Sequence, residues 1–219
     1  MSQAVTRIKI CGITNLEDAL TAVQAGADAL GFIFVERTPR FMTPEQAAPI
    51  IRQLPPFITP VGVFWNHPRG HVKAIAETCG LRALQFHGDE TPEELAGYDV
   101  PVIKTIKLSP AASLALREDR LGDMADAGRY RAVAAALLVD TADRWSEGEP
   151  RRPLEWETLP IAPRLRLILS GGLTPENVAH AVMVVRPYAV DVNSGVEERP
   201  GKKDPGKVRR FVAEARGVA

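Results

Sequence analysis

The stretch Arg7-Ile8-Lys9-Ile10-Cys11-Gly12-Ile13 decides the fold. It is a short, apolar-leaning run that ends in a thiol and a glycine. Helix-start residues follow at once: Thr14 or Asn15 as a cap, then Glu17 and Asp18 in a first turn. A unit of this kind reads as the first strand of a parallel barrel. In such folds catalytic groups stand at the carboxyl ends of strands, where the loops of successive strand–helix units converge on one face. Cys11 is then one of those groups.

The same grammar returns along the chain. The first helix runs through Gln24 and stops at Gly26, and Ala29 to Val35, ALGFIFV, is a continuous apolar strand of the kind a parallel sheet buries on both faces. Thr43-Pro44-Glu45 opens a helix that stops before Pro55-Pro56. Further strands are expected at Ile58–Trp65, Arg82–Gly88, Pro101–Leu108, Val133–Asp140, Leu165–Gly172 and Ala189–Val196. Helices are expected at Arg69–Cys79, from Thr91, at Ala111–Ala127, Pro153–Leu159, Thr174–Val185 and Pro205–Arg216. Thr141 to Pro153 has no clean period and reads as a long loop, a class of segment that is usually functional or mobile. Eight strand–helix units at a spacing of about 25 residues predict a closed α/β (β/α)8 barrel, a TIM barrel of parallel strands, formed by residues 1–219 as one domain.

Composition removes several function classes. Lys plus Arg balances Asp plus Glu at 27 each, so no overall field gathers nucleic acid or an anionic membrane. No apolar run reaches the roughly 18 residues of a membrane span, and no basic flank with an apolar core opens the chain. A cytoplasmic protein is expected, a monomer or homodimer, with neither nucleic acid nor membrane as partner. A Cys11–Cys79 disulfide is not expected in such a domain, and Cys79 before Gly80 reads as packing.

The residues at the strand ends outline a site: Cys11, Arg40, Asn66, His87, Asp140, Ser170-Gly171-Gly172 and Asn193-Ser194-Gly195. Gly171-Gly172 and Ser194-Gly195 suit phosphate capture, because glycine lets backbone amides approach an anion and barrels often bind phosphate after strands seven and eight; the plainer reading is two tight turns. Asp140 ends an apolar strand, where desolvation favours the protonated carboxyl and a general acid role; the alternative is a loop-start aspartate accepting backbone amides. Cys11 is either a small buried hydrophobe or a base or nucleophile with thiolate character. Arg40, on a proline-stiffened loop, either holds a substrate carboxylate or is solvated. His87 either lines the mouth or ties down its loop. His67 and His71 stand four apart, but Pro68 and Gly70 break the helical face that a two-histidine metal site would use, so no metal is expected there.

Taken in order, Lys9-Ile10-Cys11-Gly12, Pro39-Arg40, Gln85-Phe86-His87-Gly88, Asp140, Gly171 to Val178, Asp191 to Glu197 and Pro200 to Asp204 resemble the phosphoribosylanthranilate isomerase family of tryptophan biosynthesis from the first strand to the last helix. The resemblance implies a (β/α)8 barrel that uses neither metal nor organic cofactor. It implies an Amadori rearrangement of N-(5′-phosphoribosyl)anthranilate to 1-(2-carboxyphenylamino)-1-deoxyribulose 5-phosphate, a small phosphosugar substrate. By motif, Cys11 matches the general base and Asp140 the general acid; Arg40 matches the holder of the anthranilate carboxylate, His87 a neighbour of the ring, and the glycine turns the phosphate grip. The chain departs from the family after Asp140, where Arg144 to Pro153 reads RWSEGEPRRP in place of a glycine-rich stretch, and at Trp65, where a smaller apolar residue is usual. Two other readings compete: a non-catalytic phosphosugar-binding barrel with an altered sixth loop, and a related phosphosugar isomerase or epimerase acting on another substrate.

Overall fold

Strand β1 (Arg7–Ile10) is the seam of the fold, paired in parallel with β2 (Ala29–Ile33) on one side and with β8 (Ala189–Val192) on the other. Between them run β3 (Thr59–Phe64), β4 (Ala83–Phe86), β5 (Val102–Leu108), β6 (Ala136–Thr141) and β7 (Arg166–Leu169), and the eight close into a barrel in sequence order. The computed structural model describes residues 5–108, 128–141, 156 and 166–217.

Several of the described connecting helices begin at a side-chain cap that the sequence supplies. Asn15 accepts from the Asp18 amide at 2.9 Å to start α1 (Leu16–Ala25), which Gly26 ends in a left-handed turn. Thr43 and Gln46 form a reciprocal capping box at the head of α2 (Pro44–Ile51), and α3 (Arg69–Cys79) has the bounds its sequence predicts. The short α4 (Pro92–Leu95) carries a second box, Thr91 with Glu94. The outer core lies between these helices and the strands, with Leu30, Phe32, Phe64, Leu84 and Phe86 facing it. The barrel interior holds a separate apolar layer that includes Val61, Ile103, Leu138 and Ile168. A third cluster at the mouth joins Cys11, Ile33, Val35 and Val63, with Trp65 against it.

Most strands are shorter than the apolar runs that contain them; Phe34 and Val35 are buried in the loop beyond β2, and Val196 in a 3-10 turn beyond β8. Strand β6 starts later than expected and runs one residue further, so Asp140 lies within the strand and pairs in register with Lys107. The helix expected from Thr174 starts at Val178 and runs to Val185. Asn177 is the reason: its side chain reaches back to the Thr174 amide at 2.8 Å and the Gly172 carbonyl at 2.9 Å, which holds residues 174–177 as a turn. Beyond β8 the chain forms a 3-10 turn (Ser194–Val196) and an unforeseen hairpin, β9 (Glu197–Arg199) with β10 (Lys202–Lys203), before the last helix, Pro205–Gly217. The expected helices Ala111–Ala127 and Pro153–Leu159 and the loop after Thr141 lie outside the described residues, apart from buried Trp156. Among the described residues no helix is long and apolar enough to cross a membrane.

Candidate active site

Cys11 is the first residue past β1, and its amide donates to the Val192 carbonyl at 2.8 Å, which fixes it against the end of β8. The thiol occupies space that glycine leaves open. A Cβ at Gly31 on β2 would stand 2.7 Å from Sγ and 3.0 Å from Lys9 Nζ. Lys9, two residues earlier on the same inward face, bonds Asp191 Oδ1 of β8 at 2.8 Å, with both side chains almost fully buried. Burial pushes the Cys11 thiol above its ordinary value, and Lys9 beside it pulls the other way. For Lys9 itself burial favours the neutral amine, but Asp191 and Cys11 outweigh it and push the ammonium up to about 12.

Asp140 stands on β6, on the far side of β7 and β8 from Cys11, and is only 4% exposed. His87, directly past β4, places Nε2 3.7 Å from Asp140 Oδ2. Its ring lies tilted against Trp65 with centroids 5.3 Å apart. The Trp65 ring carries Lys107 Nζ at 3.6 Å and the Arg37 guanidinium at 4.3 Å, so one wall of the mouth is an aromatic plate with two cations on it. Below it, buried Lys104 bonds Glu90 Oε2 at 2.8 Å and the Gly88 carbonyl at 2.6 Å, which anchors the loop that presents His87.

Arg40 is held by a two-point fork, Nε to Glu197 Oε1 at 2.8 Å and Nη2 to Oε2 at 2.6 Å. Burial would push the Glu197 carboxyl up, but Arg40 and Lys203 outweigh it and hold the group below its ordinary value. Fully buried Lys203 also bonds Asn193 through its carbonyl at 3.1 Å and Oδ1 at 2.9 Å. The arginine is thus anchored rather than freely solvated, and its position is set by the hairpin after β8.

The two glycine turns face the same space. Gly171 and Gly172 adopt φ of 82° and 67°, which turn the backbone tightly after β7. Gly195 meets them: a Cβ there would stand 1.9 Å from the Leu173 carbonyl oxygen, so the turn after β8 closes on the turn after β7 only without a side chain. Gly195→Val is therefore expected to raise KM for a phosphorylated substrate at least tenfold, with a smaller change in kcat. Initial rates over a substrate series check this; an unchanged KM counts against a phosphate grip at these turns.

Cys11, Arg40, His87, Asp140, Gly171, Gly172, Ser194 and Gly195 line one cavity of about 860 Å³ at the carboxyl ends of the strands. Asn66, the remaining strand-end candidate, serves the backbone instead. In a left-handed conformation it donates its amide to Glu90 and accepts from the Asp89 amide, tying two loops together. The rings of His67 and His71 stack in parallel, 5.5 Å apart. Gln85, Asp191 and Glu197 also line the cavity; the sequence motifs include them but give them no role in the site. Asp191 and Gln85 sit inside strands, where the signal available was a polar residue interrupting an apolar run; Glu197 sits on a hairpin that leaves no periodic trace.

The model of the N-(5′-phosphoribosyl)anthranilate isomerase family matches residues 8–214. The chain is 47% identical over 98% of its length to the N-(5′-phosphoribosyl)anthranilate isomerase of Citrifermentans bemidjiense, covering 99% of that protein. It is similar in structure to monomers generated from the dimeric phosphoribosylanthranilate isomerase of Thermotoga maritima, with a TM-score of 0.82 and 40% identity over 97% of this chain and all of that one. It is also similar, with a TM-score of 0.80 and 41% identity over the same shares, to a phosphoribosylanthranilate isomerase in complex with reduced 1-(o-carboxyphenylamino)-1-deoxyribulose 5-phosphate.

Proposed function

The chain belongs to the N-(5′-phosphoribosyl)anthranilate isomerase family, and from that membership we propose that Cys11 and Asp140 divide the acid–base work of the aldose–ketose isomerisation in tryptophan biosynthesis. The observation that carries this division is their placement. Both are buried at the ends of β1 and β6, both line one cavity, and the glycine turns of β7 and β8 lie between them in the barrel order. A phosphate seated on those turns puts the ribose between a carboxyl on one side and a thiol on the other.

The chemistry needs that arrangement. A proton from Asp140 to the furanose ring oxygen breaks the C1′–O bond and leaves a Schiff base to the anthranilate nitrogen. The Cys11 thiolate then takes the C2′ proton, and the C–H electrons form an enolamine that relaxes to the ketone. Acid and base act on different atoms at different moments, so each needs only to be held within reach of its own proton. Arg40 is assigned to the anthranilate carboxylate: Glu197 uses its Nε and Nη2, and no partner among the described residues takes Nη1. His87, packed on Trp65, is assigned to the edge of the anthranilate ring. Every group named comes from one chain, so a monomer and each half of a homodimer carry all of them. Soluble phosphosugars as substrate and product suit a cytoplasmic enzyme.

The test is the loss of anthranilate-type fluorescence when the purified protein meets freshly formed phosphoribosylanthranilate. Rapid loss that saturates with substrate is expected. A folded protein that leaves the fluorescence unchanged overturns the assignment.

A further inference from the structure

We propose that Lys9 is a positioning residue of the isomerisation, the buried counter-ion that stabilises the Cys11 thiolate when it forms to take the C2′ proton. This rests on the reading of Cys11 as the base and adds a residue that never touches substrate.

A thiolate in a buried site needs a cation close by, because burial alone favours the neutral thiol. Cys11 is 5% exposed, and the burial that pushes its proton affinity up is opposed first by Lys9. The geometry brings the two together: Lys9 Nζ and Cys11 Sγ both crowd the side-chain position that Gly31 leaves vacant, at 3.0 and 2.7 Å. Lys9 lies on β1 one inward-facing position before Cys11, which directly follows the strand, so its four-carbon stem rises beside the barrel axis to the level of the thiol.

The surrounding charges are few. Asp191 of β8 takes the Lys9 ammonium at 2.8 Å and raises the proton affinity of the thiol. Lys203 of β10 also favours the thiolate from further out, fully buried and bonded to Glu197, which in turn holds Arg40. Gly31 and Ile33 of β2 add no charge, and the shared mouth holds His87 and Asp140. Burial pushes the proton affinity of Lys203 down while Glu197 beside it pulls the other way; counted with all five groups ionised, Lys9, Lys203 and Arg40 against Asp191 and Glu197, this cluster carries one positive charge in excess while Cys11 is a thiol. It becomes neutral when Cys11 is a thiolate. Asp191 is then the opposing half of the device: it anchors the ammonium and limits how strongly Lys9 stabilises the thiolate.

The two halves predict shifts of opposite sign. Thiolate formation is read by ultraviolet absorbance against pH in the intact enzyme, with Cys11→Ser as the blank that removes the tyrosines and Cys79. Lys9→Met should raise the Cys11 midpoint by about one unit or more, a tenfold smaller thiolate fraction near neutral pH. Asp191→Asn, which removes the carboxylate with almost no change of shape, should lower it. The acidic limb of kcat should follow each midpoint, moving to higher pH in Lys9→Met and to lower pH in Asp191→Asn, with KM changed less than about threefold. A residue that only supports the fold would not move the two variants in opposite directions. A midpoint unmoved in both variants, or moved the same way, overturns the proposal; if Lys9→Met does not fold, Asp191→Asn decides alone, a midpoint equal to or above the wild type overturning it. Full turnover by Cys11→Ser would strike at the base assignment instead, whatever the titrations show.

Discussion

Asp140→Asn is expected to lower kcat by about 10³-fold and to leave KM within about threefold of the wild type. Asparagine has the shape of aspartate, so it fits the nearly closed position at the end of β6 without a cavity or a clash. It keeps a polar group facing His87, 3.7 Å away, but it has no acidic proton to give to the ring oxygen. The loss therefore falls on the chemical step and not on binding, which depends on the glycine turns and Arg40. Steady-state fluorescence kinetics separates the two parameters, and a thermal melt within a few degrees of the wild type shows that the fold is intact. A kcat above about a tenth of the wild-type value refutes the acid role of Asp140.

Cys11→Ala is expected to be at least as damaging, with kcat down by about 10³- to 10⁴-fold. The variant should still bind reduced 1-(o-carboxyphenylamino)-1-deoxyribulose 5-phosphate, because no contact assigned to phosphate, carboxylate or ring passes through the thiol. No other described sulfhydryl can take over. Cys79 lies at the end of α3, with Sγ 3.7 Å from the Pro44 carbonyl in the outer core, and burial pushes its proton affinity up to about 11. Loss of turnover with retained analogue binding, measured by titration calorimetry, is the expected pair of results. Turnover close to wild type removes Cys11 from the mechanism.

The barrel was legible because its units repeat a local grammar: apolar run, polar strand end, cap, helix, glycine or proline stop. Asn15, Thr43 and Thr91 each cap the helix that the sequence predicts for them, and α3 has the expected bounds. The strand ends were less legible, since an apolar residue buried beyond a strand, in a loop as Val35 is or in a 3-10 turn as Val196 is, reads the same as one in the strand. The polar members of the site were visible wherever they fell at the end of an apolar run, as Cys11, His87 and Asp140 do. Lys9, Asp191 and Glu197 stood in the quoted motifs without a role, because their meaning lies in partners 182 and 157 residues away along the chain. The Trp65 departure gains a context as the plate beneath Arg37 and Lys107, while the departure after Asp140 lies outside the described residues.

The seam between β1 and β8 also orders events in time. Lys9 meets Asp191 across it, and Arg40 reaches Glu197 beyond it. The β10 strand then bolts the hairpin to α1, with the Lys203 amide donating to Asp18 at 2.8 Å and Lys202 Nζ bonding the same carboxylate at 2.7 Å. On the ribosome β1 emerges ahead of the other strands of the barrel and its partner β8 after them, so contacts 182 and 157 residues apart in sequence complete the active site. A nascent chain can assemble most of the sheet and still lack the charge cluster around Cys11, the grip after β8 and the fixed Arg40. Turnover is consequently a reporter of ring closure. In refolding, activity should return with the slowest structural phase, and a chain shortened before Asp191 should be inert however much helix it has formed.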